Sequence, residues 1–256
     1  MPERHGKVAL ITGAARRVGA VIARDLSRQG WAVAVHYRTS AEEAEAVAAG
    51  IEAGGGRAIA IAADLMSEAE TASLVGRARE ALGPVTCLVN NAALFERDEA
   101  LTATRESWDR HMLVNLRAPF VLIQTVARQL PSEASGCVIN LLDQRVWNLT
   151  PHFTSYTVSK AALWTLTQTL AMALAPRVRV NAVGPGPTLP SQRQSAEQFE
   201  RQWANVALAR PVAPEEISAA VRFLLDAPSV TGQMIAVDAG QHLGWTRSHS
   251  GQSADE

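Results

Sequence analysis

Three residues near the middle of the chain have types and spacing suited to proton transfer. Tyr156 follows Asp143 by thirteen positions, and Lys160 follows Tyr156 by four. If the chain is helical from Thr154, Tyr156 and Lys160 lie one turn apart on the same face. A phenol with an ordinary pKa of about 10 is a poor acid or base near neutrality, but an adjacent ammonium favours the phenolate and lowers that value. The pair can therefore hand a proton to a substrate that receives hydride elsewhere. An ionised Asp143 can only accept hydrogen bonds, so it fits a substrate with its own N–H groups or with a ring nitrogen awaiting a proton. Its charge also opposes ionisation of Tyr156, keeping the phenol a donor. The competing reading makes Asp143 a structural acid paired with Arg145.

Residues this far apart need a scaffold, and short β-branched runs alternating with amphipathic stretches supply one. The strands are expected at 7–12, 31–37, 57–63, 86–91, 137–142, 178–183 and 233–238, with the Ala-rich stretch Ala41–Ala53 as a helix. Serial βα units of this kind build an α/β fold: a single doubly wound, Rossmann-like domain with a seven-stranded parallel sheet flanked by helices on both faces. It is expected to span residues 1–244, with a polar lid segment at about 184–213 and a flexible tail at 245–256. A chain of 256 residues that is 47% hydrophobic can bury one sizeable core. Lysines and arginines number 24 against 25 acids, which gives no basic excess for nucleic acid. Cys87 and Cys137 sit in apolar strand runs and read as reduced core thiols, so no metal site is expected. No signal peptide or membrane-spanning run is evident, and a cytoplasmic address follows by default.

The first strand leads into "TGAARRVGAVIA", where Gly13 and Gly19 bracket a strand-to-helix turn. Glycine lets a diphosphate approach a helix N-terminus whose N–H groups are unpaired, although an ordinary βα turn reads the same way. Arg17 stands where a middle glycine is usual and can be aimed at an anion. At the end of the second strand, "HYRTS" has no acid to hold a ribose diol. Arg38, Thr39 and Ser40 instead suit a ribose phosphate, with Arg16 as a second cation, so NADPH is favoured over NADH.

Taken together, "TG" with Gly19, "NNA" at 90–92, Asn115 in "HMLVNLRAPF", "YTVSK" at 156–160, "NAVGPGP" at 181–187 and "VTGQMIAVDAG" at 230–240 resemble the short-chain dehydrogenase/reductases over about residues 6–244. The resemblance implies a homotetramer with Tyr156 as general acid and Lys160 on the nicotinamide ribose. It also implies that Asn115 supports a proton-relay water and that Asn90 stabilises the sheet. The cofactor would be held by Gly13, Arg16, Arg17, Val18, Gly19, Tyr37, Arg38, Thr39, Ser40, Asp64, Leu65, Asn91, Ala92, Lys160, Pro185 and Gly186, with Asp64 beside the adenine and Pro185 and Gly186 bordering the nicotinamide. Asp143 stands in place of the family's usual serine, as it does in the subgroup resembling pteridine and dihydromonapterin reductases. That subgroup also implies that Phe95 stacks the pterin and that Arg17 touches both cofactor and substrate.

The expected reaction is therefore NADPH-dependent reduction of a dihydropterin, with Arg17, Phe95, Asp143 and Tyr156 on the substrate. The alternatives are a carbonyl or 3-oxoacyl reductase of the same family and a non-catalytic dinucleotide sensor. Ala93 departs from the serine found after "NNA" in the parasite pteridine reductases. His152 reads as a loop bystander and Phe95, alternatively, as a core aromatic. Trp108, Trp147, Trp164, Trp203 and Trp245 read as packing residues, with Trp147, Phe153 and Trp203 as candidate pocket walls.

Overall fold

The computed structural model describes residues 6–191 and 193–244, so the first five residues and the tail at 245–256, with Trp245, lie outside the described residues. Each βα unit begins with a run too apolar to face water. The strands are β1 (Val8–Ile11), β2 (Ala32–Tyr37), β3 (Ala58–Ala62), β4 (Cys87–Asn90), β5 (Gly136–Leu141), β6 (Val178–Pro185) and β7 (Met234–Val237). The helices are α1 (Arg17–Arg28), α2 (Ala41–Ala53), α3 (Glu68–Leu82), α4 (Arg105–Met112), α5 (Ala118–Gln129), α6 (Thr154–Ala173), α7 (Ala196–Ala204) and α8 (Pro214–Asp226). All seven strands are parallel, in the order β3-β2-β1-β4-β5-β6-β7. Each lies within two residues of its expected bounds, and α2 has the expected bounds.

The pleat sends alternate residues to opposite faces. Ala9 and Ile11 of β1 join Ile22 of α1, Val47 of α2 and Ile217 of α8 in one layer. Val8 and Leu10 join Leu74 of α3 and Leu122 of α5 in the other. Burying each of these large side chains stabilises by about 1.5–3 kcal/mol, so the two layers dictate which helix covers which face. The strand order reverses between β1 and β4, opening a crevice outside the C-terminal strand ends.

Two polar devices seat α6. Asp98 accepts the Ser155 N–H (3.0 Å) and the Ser155 hydroxyl on its carboxylate and the Thr154 N–H on its carbonyl, satisfying donors of the first turn. Farther along, Asn90 Nδ2 donates to Asn140 Oδ1 (2.8 Å) and Asn140 Nδ2 donates to Thr167 Oγ1 (2.9 Å), tying β4, β5 and α6 through buried side chains. The long connection from β6 to α8 carries α7, started by a reciprocal Ser195–Gln198 cap. No helix among the described residues is long and apolar enough to cross a membrane. Asn140→Ala leaves two buried partners without their bonds, so the expected loss is about 1–3 kcal/mol, read as a lower urea midpoint at unchanged slope. An unchanged midpoint would show that the ladder does not hold the layers together.

Candidate active site

The crevice is lined from the ends of β1, β4, β5 and β6. At the end of β1 the Thr12 hydroxyl accepts the N–H groups of Asn91 and Ala92 (both 3.0 Å). Asn91 Nδ2 donates back to the carbonyls of Thr12 (2.8 Å) and Gly13 (3.0 Å). The turn between them is crowded. Gly13 has φ +62°, and a Cβ on it would lie 3.0 Å from the Ala92 Cα. A Cβ on Gly19 would lie 2.4 Å from the Gly13 oxygen. Arg17 adopts the same left-handed region (φ 55°), at a cost of about 1 kcal/mol for a residue with a Cβ. Its guanidinium donates to the carbonyls of Pro190 (3.0 Å) and Leu189 (3.2 Å), joining this turn to the segment after β6.

Arg16, at the start of α1, lies 3.4 Å from Glu43. Arg38 and Thr39 are exposed at the end of β2, and Arg38 makes no ion pair with a described residue. Ser40 precedes α2, and Tyr37 and Val18 pack against the core. Beyond β3, Leu65 is buried, and Asp64 accepts the Met66 N–H (2.9 Å) on its carboxylate.

The second centre forms where β5 meets α6. The Tyr156 hydroxyl donates to Asp143 Oδ2 at 2.9 Å, and Asp143 Oδ1 accepts the main-chain N–H of Arg145 at 2.8 Å. The acid therefore faces the phenol, while its bond to Arg145 runs through the backbone. Lys160 is buried on the same face, with Nζ donating to the Leu141 carbonyl (2.7 Å) and standing 5.9 Å from the Tyr156 ring centre. Burial lowers its pKa to about 8, against the opposing pull of Asp143.

Asn115 lies in a π-helical turn, Leu113–Arg117, between α4 and α5. Its side chain is committed: Nδ2 donates to the Leu94 carbonyl (2.9 Å) and Ser159 Oγ (3.0 Å), and Oδ1 accepts the Leu94 N–H (2.8 Å). Asn115 thereby pins the segment carrying Phe95 against α6. Phe95 stacks on Phe153 at 4.4 Å and meets the edge of Tyr156 at 4.7 Å. These groups border a cleft of about 390 Å³ lined by Arg17, Phe95, Asp143, Phe153, Pro185 and Gly186 and by side chains of the α7 segment.

Arg17, Phe95, Asp143, Pro185 and Gly186 thus line one cleft, Tyr156 joins it through its bond to Asp143, and the buried Lys160 and Asn115 lie behind. Trp147 and Trp203 are not among the cleft-lining residues; Trp147 instead packs edgewise on Trp164 and His242. His152 pairs with Glu99 (3.0 Å). The sequence reading missed Arg97, Arg193 and the glutamines Gln194, Gln198, Gln202 and Gln241 on the cleft wall. It also missed the network of Asp98, Ser107, His111 and Ser155, whose members lie up to 57 residues apart and share no spacing signal.

A family profile described as Enoyl-(Acyl carrier protein) reductase matches residues 13–242. The chain is 47% identical to FolM Alternative dihydrofolate reductase 1 from Brucella suis, solved in complex with NADP, with a TM-score of 0.91 over 94% of this chain and 97% of that one. A short chain dehydrogenase from Burkholderia cenocepacia, also solved with NADP, is 36% identical, with a TM-score of 0.86 over 92% of this chain and 98% of that one. A 3-oxoacyl-[acyl-carrier-protein] reductase from Synechocystis is 34% identical over 91% of this chain and 96% of its own length.

Gly19→Ala forces a methyl into the Gly13 carbonyl and Asn91 Nδ2, at 2.4 and 2.6 Å. The expected cost is about 1–3 kcal/mol in chemical denaturation. Wild-type stability in that variant would mean that the turn relaxes freely.

Proposed function

The chain belongs to the short-chain dehydrogenase/reductase family, and from that premise we propose that it is an NADPH-dependent reductase of a dihydropterin, forming the tetrahydropterin. The observation that carries the reading is the hydrogen bond from the Tyr156 hydroxyl to Asp143, at 2.9 Å. A carbonyl substrate needs a donor at position 143, whereas a carboxylate there accepts from the N–H groups of a pterin.

The residues present fit the cofactor. Gly13 and Gly19 leave no room for a Cβ, so backbone can approach a diphosphate closely. Among the described residues Arg38 forms no ion pair at the end of β2, and nearby Glu43 is paired with Arg16. A guanidinium fork with hydroxyls suits the ribose phosphate of NADPH and not a free diol. Val18, Tyr37, Leu65, Asn91 and Ala92 line the nucleotide's path, with Asp64 toward the adenine and Pro185 and Gly186 toward the nicotinamide. The NADP-bound relatives support the same choice.

When bound, the nicotinamide supplies hydride to a ring carbon. The chain's own residues manage the proton. Tyr156 gives its hydroxyl proton to the adjacent ring nitrogen, and the Lys160 ammonium stabilises the phenolate left behind. Asp143 orients the phenol beforehand and accepts from the ring. Phe95, half-buried on the cleft wall and backed by the buried Phe153, is the aromatic offered to the ring, and Arg17, already joined to Leu189 and Pro190, couples the lid segment to the cofactor's phosphates. Asn115 positions Phe95 and α6 through both hydrogens of its side-chain amide and its Oδ1. We place the protein in the cytoplasm as a homotetramer. An apolar strip over Met112, Leu113, Leu116 and Phe120 supports a subunit contact on that face.

The second reading, a 3-oxoacyl or other carbonyl reductase, draws on the Synechocystis relative. Purified protein with NADPH and a panel of dihydrobiopterin, dihydromonapterin, dihydrofolate and simple ketones separates the two: oxidation with pterins is expected, and oxidation with ketones alone would remove the pterin reading. Asp143→Ser is expected to lower pterin kcat/KM by ~100-fold or more, the size of effect that misplacing the reacting groups carries; unchanged kinetics would take Asp143 out of the reaction. Arg38→Asp is expected to shift preference toward NADH by ~10-fold or more, the worth of a charge-assisted bond. Unaltered NADPH preference would place the phosphate elsewhere.

A further inference from the structure

His36 is a buried imidazole that the reaction does not use, yet it touches the glycine turn directly. On β2, with 2% of its surface exposed, it accepts the Gly13 N–H on Nδ1 at 3.0 Å. Its Nε2 lies 3.1 Å from the Ala63 carbonyl beyond β3. A peptide N–H only donates and a carbonyl only accepts, so these partners require the neutral ring with its proton on Nε2. The His36 main-chain carbonyl also accepts the Ala14 N–H at 2.9 Å. One residue therefore holds the first two amides of the turn and, through Ala63, the approach to Asp64 and Leu65. Gly13 sits in the left-handed region with Ala92 against it, and the imidazole accepts its N–H there.

We propose that His36 is a positioning residue for the nucleotide site: its neutral imidazole sets the Gly13 turn, and protonation unseats the turn and weakens cofactor binding. The proposal rests on the reading of that turn as the dinucleotide phosphate site. An imidazolium would present a second N–H to the Gly13 N–H, replacing a bond with a repulsion. Burial, first, lowers the His36 pKa from its ordinary 6.5, and the Ala63 carbonyl partly opposes this. Of the charged groups facing the ring, Arg77 of α3 lowers it further and Asp64 raises it. Arg16 and Arg17 stand farther along the turn, Arg16 paired with Glu43. With a lowered folded-state value, the neutral ring's contribution is intact above 6.5 and is lost as pH falls through that lowered value.

The test is calorimetric binding of NADP+ to the full-length protein at steps from about pH 8 down to the lowest pH at which it stays folded, a span that begins above the ordinary imidazole value of about 6.5. Wild type is expected to weaken by a larger factor over that span than His36→Asn does, the excess being the imidazole's share. His36→Asn places Oδ1 where Nδ1 stood and cannot titrate, so it is expected to bind more tightly than His36→Leu at the highest pH and to lose most of the acid weakening. The ribose phosphate titrates near pH 6 and adds the same pH dependence to every variant, so the difference between wild type and His36→Asn isolates the imidazole. Equal acid weakening in the two overturns the proposal, as does wild-type affinity in His36→Leu. If His36→Leu does not fold, the Asn comparison decides alone. Absence of NADP+ binding by wild type at the highest pH would overturn the nucleotide reading itself, a result distinct from binding with an unaltered pH profile.

Discussion

Lys160 has to keep an ammonium where there is almost no water, and much of the site follows from that requirement. A buried charge without partners costs several kcal/mol, and its ordinary escape is to lose the proton. Here the Leu141 carbonyl takes one of its hydrogens at 2.7 Å and the Asp143 carboxylate supplies opposite charge, while burial still holds the pKa down at about 8. Both compensating groups lie at the end of β5, so α6 must run past that strand end at one depth and one rotation. Tyr156, one turn earlier, is then bound to meet Asp143.

The rest of the architecture fixes that meeting within tight limits. Asp98 sets where α6 begins, the Asn90, Asn140 and Thr167 ladder sets its distance from the sheet, and Asn115 uses a π-turn to lock Phe95 onto the same helix. Phe95 and Phe153 stack beside the phenol, so the ring that donates the proton is held by packing as well as by hydrogen bonds. On the other side of the crevice, Thr12 and Asn91 bind β1 to β4, and Gly13 and Gly19 give up their side chains to let the backbone fold tightly there. A rigid acid–phenol–ammonium row and a tight glycine turn open onto one crevice, joined by Arg17 and the segment after β6.

Much of this was legible in the chain. Short, continuous β-branched apolar runs placed all seven strands, because parallel strands buried on both faces must be apolar along their length. Local spacing placed Tyr156 and Lys160 on one helical face, and the residue type at 143 identified an acceptor. What spacing could not show were contacts between residues remote in sequence. His36 sits within an ordinary strand run, and nothing nearby marks it as the partner of Gly13. Asp98 and Ser155 meet only after folding, and Arg193 reaches the cleft from a polar segment whose path no periodicity constrains. Trp147 failed as a pocket wall for a similar reason. Its indole packs edgewise on Trp164 and His242 and stays 44% exposed, a placement that aromatic character alone does not reveal.

The account turns on a carboxylate that orients the tyrosine before substrate arrives and accepts from the substrate once the phenol's proton turns to the ring. A crystal structure of the protein with NADP+ and a pterin analogue tests this most directly. The account predicts pterin ring nitrogens within hydrogen-bonding distance, about 2.6–3.2 Å, of both Tyr156 Oη and an Asp143 carboxylate oxygen, with the ring against Phe95. A pterin bound away from that row, or an Asp143 carboxyl that accepts from no ring N–H while the ring occupies the cleft, would contradict it.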